Sequence, residues 1–177
     1  MLRDYSPAVS VPRLDTARLT LREYRMADFG DFAAHLADAQ SMAFLGVHDR
    51  RTAWRIFGAN AAGWLLQGAG WWTIERRDSG AHVGNVGAFF REGGTDLELG
   101  WNTFRAFWRQ GIATEAATEV LRYALEERGE RRATALVDAG NAPSLRVATG
   151  VGMTYESEVD LFGTPVGRYV KVRAQGA

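Results

Sequence analysis

The chain has 177 residues, 46% of them hydrophobic, with 21 basic residues balancing 21 acidic ones and no cysteine. That length suits one domain with a sizeable core and is short for two, so residues 1–177 are expected to form a single domain. Balanced charge argues against an extended nucleic-acid footprint, and the lack of cysteine removes thiol nucleophiles, disulfides and thiolate metal sites together.

Residues 1–12, with Pro7 and Pro12, read as an extended lead-in. They lack the apolar run of a signal peptide, and no stretch approaches the roughly 18 apolar residues of a membrane span. A cytoplasmic protein with no membrane partner is expected. ARLTLREY (17–24) alternates like a half-buried strand. Asp28 is placed to cap a helix through about Asp38, with Phe29, Phe32, Ala33 and Leu36 on one face. QSMAFLGVHDR (40–50) reads as a loop, and residues 51–67 as a helix carrying Trp54, Phe57, Ala61, Trp64 and Leu65. WWTIERR, AHVGNVGAFFR and TDLELGWN then form strands joined by the turn signals DSG and EGG. A helix of roughly four turns follows from Gly111, with Ile112, Ala116, Val120 and Ala124 along its apolar stripe. RATALVD is a strand, Pro143 to Thr149 a short helix, and TYESEVDLF and PVGRYVKV a final strand pair turning at Gly163. The order β-α-α-β-β-β-α-β-α-β-β predicts a mixed α/β (α+β) fold, one central twisted sheet flanked by helices.

Gly111 opens the long helix in WRQGIATEA. A helix N-terminus leaves amides unpaired and favours phosphate. A phosphate there would reach the amides of Gln110 through Ala113, with Thr114 adding a hydroxyl. A loop glycine easing a strand-to-helix turn is the other account of the same residue. No G-x-x-x-x-G-K-[ST] occurs, and GNVGAFF lies inside a strand pattern, so neither a triphosphate loop nor a dinucleotide fold is supported.

LELGWNTFRAFWRQGIATEAATEVLRYALEE resembles the coenzyme-A-binding segment of the GNAT superfamily of N-acetyltransferases, most of all its Rim-type branch, which acetylates ribosomal-protein N-termini among other amines. That branch tends to read E-x-G-Y-x-L-x-P-x-x-W-G-x-G-Y-A-T-E-A. Here Glu98, Gly100, Trp101, Trp108, Gly111, Ile112, Ala113, Thr114, Glu115 and Ala116 match. LDTARLTLRE (14–23) and VDAGNAPSLRVATGVGM (137–153) also fit, and the resemblance spans about residues 13–172. Arg105 replaces a common proline. Ala148 stands where many members carry a tyrosine that protonates the departing thiolate, and Thr149, Gly150 and Val151 replace the usual Glu-Lys-Leu.

The resemblance implies the GNAT (acyl-CoA N-acyltransferase) fold, a mostly antiparallel sheet, acetyl-CoA as cosubstrate, a primary amine acceptor and a possible homodimer. With no cysteine to carry an acyl group, direct transfer in a ternary complex is the economical mechanism. Glu98 is the candidate base, with a solvated strand carboxylate as the alternative. An α-amino acceptor, pKa about 8, asks less of that base than lysine at about 10.4. Cofactor contacts fall on Asn102 and Thr103, whose backbone would pair with the pantetheine arm. They also fall on Arg109, Gln110, Gly111, Ile112, Ala113 and Thr114 at the helix start, and on Asn141, Ser144 and Arg146. Ser144 is the candidate substitute for the missing tyrosine, or simply a first-turn serine. Asn141 serves equally as a turn residue, and Arg146 as a surface arginine. Trp71, Trp72, Phe89, Phe90 and Trp101 line an acceptor pocket or belong to the core. The loop QSMAFLG and the second helix should form one wall and the turn near Phe162 to Pro165 the other. His35, His48 and His82 lack ligand spacing, so no metal is expected. A catalytically weak acyl-CoA-binding module is the rival reading.

Overall fold

The computed structural model describes residues 10–174, so most of the expected lead-in lies outside the described residues. The elements are β1 (Leu14–Asp15), β2 (Leu19–Arg22), α1 (Phe29–Ala37), α2 (Arg50–Gln67), β3 (Gly70–Arg76), β4 (His82–Phe90), β5 (Leu97–Thr103), α3 (Ile112–Arg122), β6 (Arg132–Val137), α4 (Ala142–Gly150), β7 (Thr154–Leu161) and β8 (Thr164–Val172). They build one eight-stranded sheet in the order β1-β2-β3-β4-β5-β6-β8-β7. Every neighbouring pair is antiparallel except β5 and β6. The expected mixed, mostly antiparallel sheet flanked by helices is what forms. The additional strand, β1, has two residues, too few to show a period.

Two expectations need correction. Asp28 makes no side-chain cap on α1. It sits in a 3₁₀ turn and accepts from Arg22 (2.8 and 2.9 Å), the Arg25 amide (2.8 Å) and the Thr73 hydroxyl (2.9 Å). Arg22, the Arg25 amide and Thr73 take up the carboxylate in place of the α1 amides. The long helix also changes pitch, because α3 gives way at Tyr123 to a π turn over Tyr123–Glu127.

Side-chain alternation divides the sheet into two faces. Trp72, Ile74, Val86, Ala88, Leu97 and Leu99 pack with Ile112, Ala116 and Val120 of α3 in the main core. A second cluster joins α1 to α2 through Phe32, Ala33, Leu36, Met42, Ala53 and Phe57. In α2 only Ala53, Phe57 and Trp64 are buried, while Trp54 and Leu65 stay exposed.

Candidate active site

The site begins where the sheet comes apart. Parallel pairing of β5 with β6 is limited to Leu97 with Ala133 and Glu98 with Thr134. Beyond Glu98 the two strands diverge into a wedge. Antiparallel β4 and β5 exchange both hydrogen bonds at alternate residue pairs. The Phe104 amide bonds the Val83 carbonyl (2.9 Å) and fixes the phase. Glu98, Gly100 and Asn102 therefore turn their backbone to β4, whereas Leu99, Trp101 and Thr103 turn theirs to the wedge. The backbone expected of Asn102 is thus already spent, and its side chain also folds onto Asn85 (3.2 Å). The Thr103 carbonyl accepts from the Trp108 indole at 2.7 Å. The Glu98–Thr134 pairing uses the Leu99 amide, so the free edge begins at the Leu99 carbonyl and continues at Trp101. The sequence could have given this phase only with the β4 register in hand.

The mouth of the wedge is the start of α3. Gly111 is its N-cap with φ +75°, and Arg109 two residues earlier has φ +62°. The left-handed backbone at position 111 explains the glycine without any ligand. A Cβ there would meet only the Arg18 guanidinium, at 3.4 Å. The turn is nonetheless suited to an anion. Asp49 caps α2 and Asn141 caps α4, but no side chain caps α3. Glu115 in its first turn is neutralised by Arg18 and accepts from the Thr16 hydroxyl (2.6 Å), which leaves the local field positive. The guanidinium of Arg18 also donates to the Gln110 carbonyl (3.0 Å), and Arg76 reaches the Gln110 side chain (3.4 Å). Neither Arg18 nor Arg76 was singled out from the sequence. They lie 92 and 34 residues from Gln110, and no local pattern links them.

At α4, the Asn141 side chain accepts from the Ser144 amide (3.2 Å), the turn role the sequence equally allowed. Ser144 is half-buried in the first turn, and Arg146 is exposed. Ala148 is wholly buried in the main core, so that position offers neither a hydroxyl nor room for a tyrosine. A Cβ added to Gly150 would touch Thr114 at 3.6 Å, which puts the end of α4 against the start of α3.

Glu98 lies at the apex of the wedge, with its side chain on the face opposite α3. Arg91 holds both carboxylate oxygens, Nε to Oε2 at 2.9 Å and Nη2 to Oε1 at 2.5 Å. On the same face the Trp71 indole lies flat across two strands. A Cβ at Gly87 or Gly100 would come within 2.5 or 2.6 Å of it, so these two glycines make its seat. Trp71 stacks on Phe89 (5.5 Å), and Phe162 at the tip of the β7–β8 hairpin curls over Arg91 (5.7 Å). Trp72, Phe90 and Trp101 belong to the α3 side, Trp72 within the core and the other two packed against it. The five aromatics thus divide, two beside Glu98 and three in packing roles. The loop before α2 adds a wall. Gln40 accepts from Arg105 (3.0 Å), and Phe44 lies 3.5 Å from the Cβ position of Gly140.

Next to β5, His82 contacts Asn85 (3.3 Å), and His35 and His82 both pack on Phe104. Burial pushes both imidazoles below their usual range, so both are neutral at pH 7. Among the described residues no group of three or more His, Cys, Asp or Glu side chains could hold a metal, and no helix is long and apolar enough to cross a membrane.

Residues 18–154 match the family described as acetyltransferase (GNAT) domain, and the chain belongs to that family. It is an acetyl-CoA-dependent N-acetyltransferase. It is 30% identical to the uncharacterized protein YkkB of Bacillus subtilis over 128 residues, 71% of this chain and 74% of that protein. The crystal structure of an acetyltransferase from Agrobacterium tumefaciens superposes with a TM-score of 0.85 at 28% identity, covering 93% of this chain and 96% of that one. Rim-type neighbours include RimL, the ribosomal L7/L12 alpha-N-protein acetyltransferase solved with coenzyme A. Its TM-score is 0.75 at 15% identity, with 92% and 98% of the two chains covered, a likeness of fold.

Proposed function

We propose that this protein transfers the acetyl group of acetyl-CoA directly to a primary amine, within a ternary complex assembled across the wedge. The observation that carries this reading is the divergence of β5 from β6 at Glu98. It opens an unpaired strand edge between an uncapped helix start and a carboxylate. From Glu98 to Thr103 the strand runs about 17 Å, at roughly 3.4 Å per residue. The pyrophosphate belongs at the mouth, on the amides of Gly111, Ile112, Ala113 and Thr114, with Arg109 and Gln110 in the turn before them. The pantetheine arm lies along Leu99 and Trp101, between β5 and α4, within reach of Asn141 and Ser144. Arg146 stands on the outer face of α4 towards the phosphates. The acetyl group then reaches the apex.

The chemistry needs one proton removed before attack and one returned after it. Glu98, directly or through a water, takes a proton from the acceptor ammonium. The neutral nitrogen attacks the thioester carbon, the N–C bond forms and the C–S bond breaks. The departing thiolate takes the second amine proton through Ser144, so one proton is released per turnover.

Titration calorimetry with acetyl-CoA tests the first half. Micromolar binding is expected for the wild type. Loss is expected in Gly111→Glu, while Gly111→Ala, which shares the backbone strain without the charge, keeps most of the affinity. Turnover tests the second half. Glu98→Gln should lower kcat at least about 100-fold with acetyl-CoA affinity unchanged. A wild type that binds acetyl-CoA and acetylates no primary amine overturns this acceptor class and mechanism.

A further inference from the structure

The acetyl-transfer reading leaves the acceptor open, and the ion pair at the apex narrows it. Resting on that reading, we propose that the acceptor is a free α-amino acid with a large apolar or aromatic side chain, and that Arg91 recognises its carboxylate. Arg91 lies just beyond β4 and reaches back across the Phe89–Glu98 pair of the β4–β5 ladder. Its bidentate bond to Glu98 uses two of five guanidinium donors. The side chain of Glu98 is 11% exposed and that of Arg91 35%, so the guanidinium is the partner that faces incoming solute.

Charge decides which amines fit. An acceptor ammonium arriving at Glu98 must come up beside a guanidinium that already holds both carboxylate oxygens. A purely cationic acceptor, such as a polyamine or aminoglycoside, would meet like charge and leave Arg91 without a counter-ion. An α-amino acid brings both signs on adjacent atoms. Its ammonium takes a share of Glu98, and its carboxylate takes the released donors of Arg91, so the count of charge-assisted hydrogen bonds is preserved.

Two further features build a pocket around that exchange. Phe89 and Phe162 place their rings 5.9 and 5.7 Å from the Arg91 guanidinium, within cation–π reach. Phe162 is 89% exposed and has φ +53°. With Gly163 at φ +84° it forms a two-residue hairpin turn of the kind that favours Asn-Gly. A phenylalanine there gains nothing from the core and strains the backbone, so its position over Arg91 is what it contributes. Trp71, flat on Gly87 and Gly100 and stacked with Phe89, supplies an apolar shelf for the acceptor side chain.

The test compares acceptors of matched shape on the full chain with saturating acetyl-CoA. L-Phenylalanine carries both charges and the ring, phenethylamine lacks the carboxylate, glycine lacks the ring, and a serine-initiated peptide presents an N-terminus without an adjacent carboxylate. In the wild type, kcat/KM for L-phenylalanine should exceed that for phenethylamine by about 100-fold and that for glycine by about 10-fold. In Arg91→Gln the first ratio should fall below about 5, with acetyl-CoA affinity unchanged by calorimetry. Phe162→Ala, at an exposed tip, should raise KM for L-phenylalanine while the protein stays folded. Equal use of phenethylamine, or a preference that survives Arg91→Gln, overturns the proposal. Acetylation of the peptide but not of free amino acids overturns it too and leaves the acetyl-transfer reading standing. Failure to bind acetyl-CoA sinks both.

Discussion

Asp28 shows how a single carboxylate can carry a disproportionate share of stability. Burial works against its charge, yet Arg22, the Arg25 amide and the Thr73 hydroxyl hold its pKa below the usual carboxylate range. Arg22 is buried with it and also bonds Glu75 at 2.6 Å. Removing one partner of such a pair leaves an uncompensated charge in the interior. Asp28→Ala should cost about 3–5 kcal/mol, read as a lower urea midpoint with unchanged slope. Glu23→Ala, which breaks the exposed pair with Arg25, should cost under about 1 kcal/mol. The sequence marked Asp28 only as a helix cap, because spacing shows neither that Arg22 turns back onto it from the end of β2 nor that Thr73 comes up from β3. The same limit explains Glu98. Its place on a strand was legible, but its partner Arg91 was not, since a turn lies between them and their meeting depends on register.

Among the elements, the β7–β8 hairpin is the one whose local sequence and local geometry disagree. A phenylalanine in the left-handed region costs about 1–2 kcal/mol relative to glycine. Phe162→Gly should therefore raise the unfolding midpoint by an amount equivalent to about 1 kcal/mol while reducing acetylation of the preferred acceptor. A gain in both stability and activity would show that the strain serves no purpose at the site. Helix α3 is the opposite case. Its apolar stripe and its start at Gly111 could be read directly, because periodicity is a local property. The π turn at Tyr123 could not, since Tyr123 packs edge-on against Trp72 of a distant strand. Neighbouring Trp71 and Trp72 were equivalent in the sequence. Strand alternation assigns one to the acceptor face and the other to the core, and only the structure says which face is which.

At the scale of the whole molecule, two sub-sheets, β1–β5 and β6–β8, share one seam of two residue pairs. Helix α3 packs on β4 and β5 and its closing π turn meets β6, while the loop through Phe44 reaches across the open end of the seam. The fold class was legible because element order constrains it strongly. The length of the seam was not, since nothing in the composition of β5 or β6 marks where parallel pairing stops. The unzipped stretch of β5 also has a signature in time. It lies in the middle of an eight-stranded sheet, yet beyond the Leu99 amide, which the Glu98–Thr134 pairing uses, the Trp101 amide has no strand to bond. In deuterated water the Trp101 amide should exchange at least about tenfold faster than those of Gly100 and Asn102, which are locked to β4. Saturation with acetyl-CoA should erase that alternation, so that a single strand passes from a two-rate ladder to a uniformly slow one.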